Sequence, residues 1–235
     1  MNARSASPVE PRRALVWDAP VRVFHWLMVL SFAVAYVTAE GERWRLVHVT
    51  AGYTMAGLVA FRLLWGLVGT RHARFASFVR GPGAVLAYLK ALLERRPQHF
   101  LGHNPAGALA IVAMLGLTLL GAGTGWTIYD DLGPEALEEV HEFAGHAMLL
   151  VVLVHIVGVV LASWMHHENL VRAMVTGRKP GDPREGITRA WRGVAALMLV
   201  VVLGFWALQW QSAPAGGTLA AAPAHATAGH DHDDD

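Results

Sequence analysis

The stretch from His141 to His155, HEFAGHAMLLVVLVH, decides the architecture of this 235-residue chain. It continues apolar to Met165, giving a run long enough to cross the roughly 30 Å hydrocarbon layer of a membrane as a helix. Fourteen residues at about 100° each come within about 40° of four full turns, so the two histidines share one helix face. Along the axis they stand about 21 Å apart, one near each leaflet. An imidazole in hydrocarbon must satisfy its ring nitrogens, so such histidines are functional candidates from the outset. Two ligating side chains on one face, one per leaflet, suit two stacked haems in a helical bundle.

Four further segments read the same way. They run from Val21 to Ala39, His48 to Val68, Ala106 to Ile128 and Gly193 to Trp210. Hydrophobic residues make up 54% of the chain and charged residues 16%, against roughly 25% charged in a soluble domain. Mean hydropathy is +0.37. A soluble enzyme is thereby excluded, and no strand-like alternation competes. The expected fold is all-α: a transmembrane four-helix haem-binding bundle plus a fifth, C-terminal transmembrane helix. A net charge of +1 gives no sign of a nucleic-acid partner. Cysteine is absent, which rules out disulfides, iron–sulfur clusters, zinc–thiolate sites and thioether-linked haem.

The basic residues orient the bundle. Sixteen Lys and Arg fall in the arm 1–22, the connection 69–103 and the stretch 166–192; two, Arg43 and Arg45, fall on the other side. The positive-inside rule then places the N-terminus in the cytoplasm and the C-terminus in the periplasm of a bacterial inner membrane. The first span is read as retained, because its apolar run is too long for a signal peptide and its basic residues lie too far upstream. The organisation expected is a cytoplasmic arm (1–20), a haem-binding four-helix membrane domain (21–180), a linker (181–192), the fifth helix (193–210) and a disordered His/Asp tail (211–235). Within the cytoplasmic connection, GPGAVLAYLKALLERRP reads as a short helix between Pro82 and Pro97, either lying on the membrane surface or packed as a loop helix.

Depth pairs the histidines. His25 in the first span shares the cytoplasmic depth of His155, and His48 in the second shares the outer depth of His141. Haem b with bis-histidine ligation fits two layers better than zinc, whose structural sites gather four ligands in one place. Gly52 and Gly145 each follow an outer ligand by four residues and Gly158 follows His155 by three; they either admit a porphyrin edge or serve close helix packing. Arg62, fourteen residues after His48, lies near the inner layer and either meets a haem propionate or snorkels to the surface. His146 points away from both ligands and is expected to bond a neighbouring helix. His166 and His167 read as solvated, and His72, His99 and His103 have no assignable partner. His225, His230 and His232 sit in the tail, where weak metal binding competes with a merely solubilising role.

The quoted stretches RVFHW, HVTAGY with FRLLWGLVG, GHNPAGALA and HEFAGHAMLLVVLVH resemble the bacterial cytochrome b561 family, which includes the b-type cytochrome subunit of nickel–iron hydrogenases. The likeness covers about residues 15–180. It implies two non-covalent haems b on His25, His48, His141 and His155, and electron transfer between the quinone pool and a periplasmic redox partner such as a hydrogenase, a dehydrogenase or a cytochrome c. The fifth helix departs from the family pattern and is a candidate docking element. The expected role is a respiratory-chain electron carrier, any oxidoreductase activity belonging to a complex with its partner. The rival functions are a haem-containing anchor subunit of a redox complex and a metal-ion transporter. The loop 127–140 carries five acidic residues and no basic one directly before His141, a patch suited to a basic periplasmic partner.

Overall fold

The computed structural model describes residues 12–94, 96 and 98–212. Five of its helices are long and apolar enough to cross a membrane: α1 (Ala19–Val37), α2 (Arg45–Val68), α4 (Pro105–Tyr129), α5 (Ala136–Met165) and α7 (Arg192–Ser212). Two shorter ones, α3 (Pro82–Leu93) and α6 (Leu170–Thr176), lie between them. All five expected spans are present, with shifted ends. The largest shift is in α5, which begins five residues before His141 and takes Glu138 and Glu139 into its first turn. Carboxylates there are favoured by the positive end of the helix dipole, which explains why an acidic stretch continues the helix instead of ending it. The helix α7 runs on to Ser212, so the expected tail loses its first two residues to it; 213–235 and the three tail histidines lie outside the described residues.

Local signals fix the helix starts. Asp18 caps α1 by accepting from the Val21 amide at 2.8 Å, and Pro20 occupies the first turn. Asn104 does the same for α4, accepting from the Gly107 amide at 2.7 Å ahead of Pro105. The all-helical expectation needs one addition. Strands β1 (Arg13–Leu15) and β2 (Arg178–Pro180) form a two-stranded antiparallel ribbon, with Ala14 opposite Lys179. Three residues a side are too few for an alternating pattern to show in sequence. Gly177 closes α6 at φ +80°, and its carbonyl accepts from the Val16 and Trp17 amides at 2.8 and 3.1 Å.

The ribbon, the 69–81 loop, the 98–104 loop and the 166–192 stretch meet at one end of the bundle. His72 Nε2 pairs with the Glu185 carbonyl at 3.0 Å, and Lys179 donates to the Phe100 carbonyl at 3.0 Å. These are the three basic segments that the charge count assigns to one side. At the opposite end, the Arg45 guanidinium lies 5.4 Å from the centre of the Tyr129 ring.

Helix α5 packs along α4, α1 packs along α2, and α2 joins the two pairs. Midway along α5, Met148 meets Ala35, Ala51 and Met55 in a buried cluster. Met148 is seven residues from both His141 and His155, so this apolar layer separates their two levels. The fifth span is part of the same body: Met198 and Val202 of α7 pack on Leu27 and Leu58, and Trp206 Nε1 donates to Thr54 Oγ1 at 2.9 Å. Its other face, with Leu197, Val200, Val201 and Leu208, is exposed, as expected where acyl chains are the solvent. In α3, Tyr88 is buried against Phe100 while Leu86, Leu89 and Leu93 are exposed, so the helix both packs and presents an apolar side.

Candidate functional site

The outer level is the more sharply drawn. His48 of α2 and His141 of α5 face each other with ring centres 5.9 Å apart and planes at 70°. Each ring is tied by Nδ1 to a backbone carbonyl, His48 to Ala35 at 2.8 Å and His141 to Gly121 at 2.9 Å. An imidazole that donates from Nδ1 keeps its lone pair on Nε2, the arrangement a metal-ligating histidine requires. Two metal–nitrogen bonds of about 2 Å, with an imidazole radius of roughly 1.1 Å on either side, span about 6 Å. The 5.9 Å separation therefore fits one metal centre held between the two rings.

Helix α4 supplies the support. Gly121 provides the acceptor carbonyl, and Thr124 Oγ1 stands 3.1 Å from His141 Nδ1. Gly125 lets the ring lie against the helix: a Cβ there would meet His141 Cε1 at 2.9 Å. Sequence reading missed all three, although the run GAGTG offered the signal of small residues on a single span. Gly52 and Gly145 behave differently, since a Cβ on either would meet no protein atom within 4 Å. Close helix packing does not account for them; Gly158 is the same, although it lies on an exposed stretch.

At the inner level, His25 of α1 and His155 of α5 are both half-buried. His25 Nδ1 is buried without a hydrogen-bond partner among the described residues. Arg62 of α2 is only 3% exposed. Its guanidinium sits over the Phe75 ring at 4.7 Å and near Phe78 at 5.9 Å, and its Nη1 has no partner among the described residues. A snorkelling arginine would reach the surface, so that alternative is set aside. Gly66 makes the cage possible, because a Cβ on it would overlap the Phe75 ring.

Asp18, fully buried, accepts from the Val21 amide at 2.8 Å, Trp65 Nε1 at 3.0 Å and Thr70 Oγ1 at 2.6 Å. It thus bolts the start of α1 to the end of α2 and carries a charge that Arg62 feels. Nothing in the sequence near Asp18 pointed to partners 47 and 52 residues away.

The remaining histidines are redistributed. His103, left without a partner by the sequence, is held between the rings of Trp17 at 4.4 Å and Phe78 at 4.6 Å. Burial, then the Arg62 and Lys179 charges, push it down to about 3, so it is a neutral imidazole. His99 Nε2 lies 2.7 Å from Glu168 Oε1. Glu168 also meets Lys179 Nζ at 3.2 Å, with both side chains buried. Burial alone would raise Glu168, but the His99 hydrogen bond and the Lys179 charge hold it below its ordinary value. His166, expected to be solvated, is half-buried beside His99, with ring centres 5.5 Å apart; His167 is exposed as expected. His146 was expected to bond another helix. It is instead exposed, 4.0 Å from Glu142 of its own helix, with its ring edge toward Tyr36 of α1. No cluster of three or more His, Cys, Asp or Glu able to hold a metal ion occurs among the described residues.

A helical membrane bundle in which His48 and His141 face each other across helices, each oriented through its Nδ1, is a frame that suits a membrane cytochrome of the b type. The profile of the prokaryotic cytochrome b561 family matches residues 16–177, and the chain belongs to that family. It is therefore a multi-pass membrane electron-transport protein that carries haem b. Among curated proteins it is similar to a probable Ni/Fe-hydrogenase B-type cytochrome subunit of Rhodobacter capsulatus, 26% identical over 213 residues, covering 70% of this chain and 80% of the relative. A protein of the same description from Rhizobium leguminosarum bv. viciae is 24% identical over 231 residues, covering 78% and 96%. One from Azotobacter chroococcum mcd 1 is 32% identical over 143 residues, covering 48% and 58%. No solved structure matches the chain.

Proposed function

We propose that this chain is a di-haem cytochrome b that carries electrons between the quinone pool and a periplasmic redox partner. The observation that carries the reading is the His48–His141 pair, 5.9 Å apart with both Nδ1 atoms committed to carbonyls. His25 and His155, which the sequence sets at a common cytoplasmic depth, hold the second, inner haem, and Arg62 faces one of its propionates with an otherwise unpartnered Nη1. Haem b supplies a one-electron iron couple. His48 with His141, and His25 with His155, would hold the two groups, which would then serve to carry electrons and not to bind oxygen at the iron. The chain also supplies the apolar Met148 layer that sets the spacing between the levels.

The basic end, with its ribbon, is assigned to the cytoplasm and the acidic 130–139 end to the periplasm. The outer haem is then the one that meets the partner, and the relatives' descriptions favour a hydrogenase as that partner. Quinone reacts at a membrane-embedded site near the inner haem. Mixing the purified protein with a quinol analogue tests the carrier reading: the haem spectrum is expected to turn to the reduced form and to reoxidise with a partner. Haem that stays oxidised with quinol and inert to partner marks an anchor subunit instead.

A further inference from the structure

The segment GHNPAG opens α4, and neither the axial ligation nor the helix cap uses its histidine. Asn104 Oδ1 is committed to the Gly107 amide and Pro105 fixes the first helical turn, so His103 is placed rigidly just before the cap. Its ring lies between Trp17 and Phe78. Phe78 is also the ring that flanks the Arg62 guanidinium, so Arg62 and His103 border the same aromatic wall. Each of the two has one buried polar atom with no hydrogen-bond partner among the described residues, Arg62 Nη1 and His103 Nδ1. Leaving both so carries an uncompensated desolvation cost, larger for the charged one. Asp18, the nearby carboxylate, already accepts from three other donors. Lys179 is matched by Glu168 at 3.2 Å. Arg62 and His103, two unpartnered donors against the same Phe78 ring, match the two oxygens of one carboxylate.

We propose that His103 and Arg62 together hold one propionate carboxylate of the inner haem, His103 donating from Nδ1 and Arg62 from Nη1. The assignment rests on the di-haem reading above. It requires no proton on His103 beyond that of the neutral imidazole, whose Nδ1–H is donor enough.

The test is haem rebinding to the full-length, detergent-solubilised protein after haem extraction. His103→Phe keeps a ring between Trp17 and Phe78 but removes the donor; His103→Asn loses the ring but places an amide donor near the position of Nδ1. His103→Phe is expected to weaken inner-site affinity by roughly 10–100-fold, with His103→Asn close to native. With haem dimethyl ester, whose carboxylates are blocked, native protein and His103→Phe should bind alike. Native-like haem affinity in His103→Phe overturns the proposal. So does an equal loss toward haem and its ester, which would make the ring a packing element only. Failure of the underlying reading shows separately, as a His155→Ala variant that still binds two haems.

Discussion

Gly125→Ala places a methyl group against the outer ligand, and its consequence is sharply bounded. The added Cβ would stand 2.9 Å from His141 Cε1 and 3.2 Å from Nδ1. To restore ordinary contact the ring has to retreat by about 0.5 Å, away from the helix that orients it. Retreat stretches the 2.9 Å bond from Nδ1 to the Gly121 carbonyl and moves Nε2 off the line to His48. Disturbing a group that orients a metal-bound histidine costs about 10–100-fold in metal affinity, or roughly 1.4–2.8 kcal/mol. The assay is haem per chain during graded extraction, read from the absorption of each haem. Outer haem should leave first, with the inner haem retained. Gly123→Ala is the control two residues away, because a Cβ there meets nothing within 4 Å and alanine is the better helix former. If Gly125→Ala keeps its outer haem as tightly as Gly123→Ala does, the ring is not held by α4 in the way described.

Three further outcomes are expected. On the proposed reading that Arg62 faces an inner-haem propionate, Arg62→Leu removes a buried positive charge and should lower that haem's potential by tens of millivolts, on the order of one kcal/mol, in a redox titration that leaves the outer haem unmoved. Neutralising Asp130, Asp131, Glu138 and Glu139 together should slow exchange with the periplasmic partner at low salt and flatten its salt dependence, with haem content intact. Glu168→Gln strips the buried Lys179 of its counter-charge and should cost about 3–5 kcal/mol in thermal or denaturant unfolding. Because the folded carboxyl is held below its ordinary value, its contribution is present above the unfolded value and lost as pH falls through the folded one. Native protein should therefore lose this stabilisation below about pH 4, and the variant should lack that component of the acid transition.

The parts of this molecule that follow from one-dimensional rules were readable in its sequence. The five spans rest on run length alone, and the shared face of His141 and His155 follows from helix period. The His48–His141 partnership rests on depth, which topology supplies, and the structure brings those two rings together. What escaped depends on contacts between distant segments. Asp18 went unread in the sequence; it caps α1, and Trp65 and Thr70 converge on it from another helix and loop. His103 looks like a loop histidine until Trp17 and Phe78 close on either side. The ribbon of RAL with RKP is too short to leave a pattern, and His166 turns inward because a loop seventy residues upstream brings His99 to it. Gly125 was visible only as one small residue among several, since its need arises from a ring on the neighbouring helix.

The most direct test of the two-level, four-histidine assignment is the haem-to-protein ratio of the purified native chain beside His141→Ala and His155→Ala. Native protein should carry two haems b per chain and each variant one. The haem surviving in His141→Ala should have the spectrum and potential of the one lost in His155→Ala. An unchanged ratio in either variant, or the same haem lost from both, would contradict the assignment.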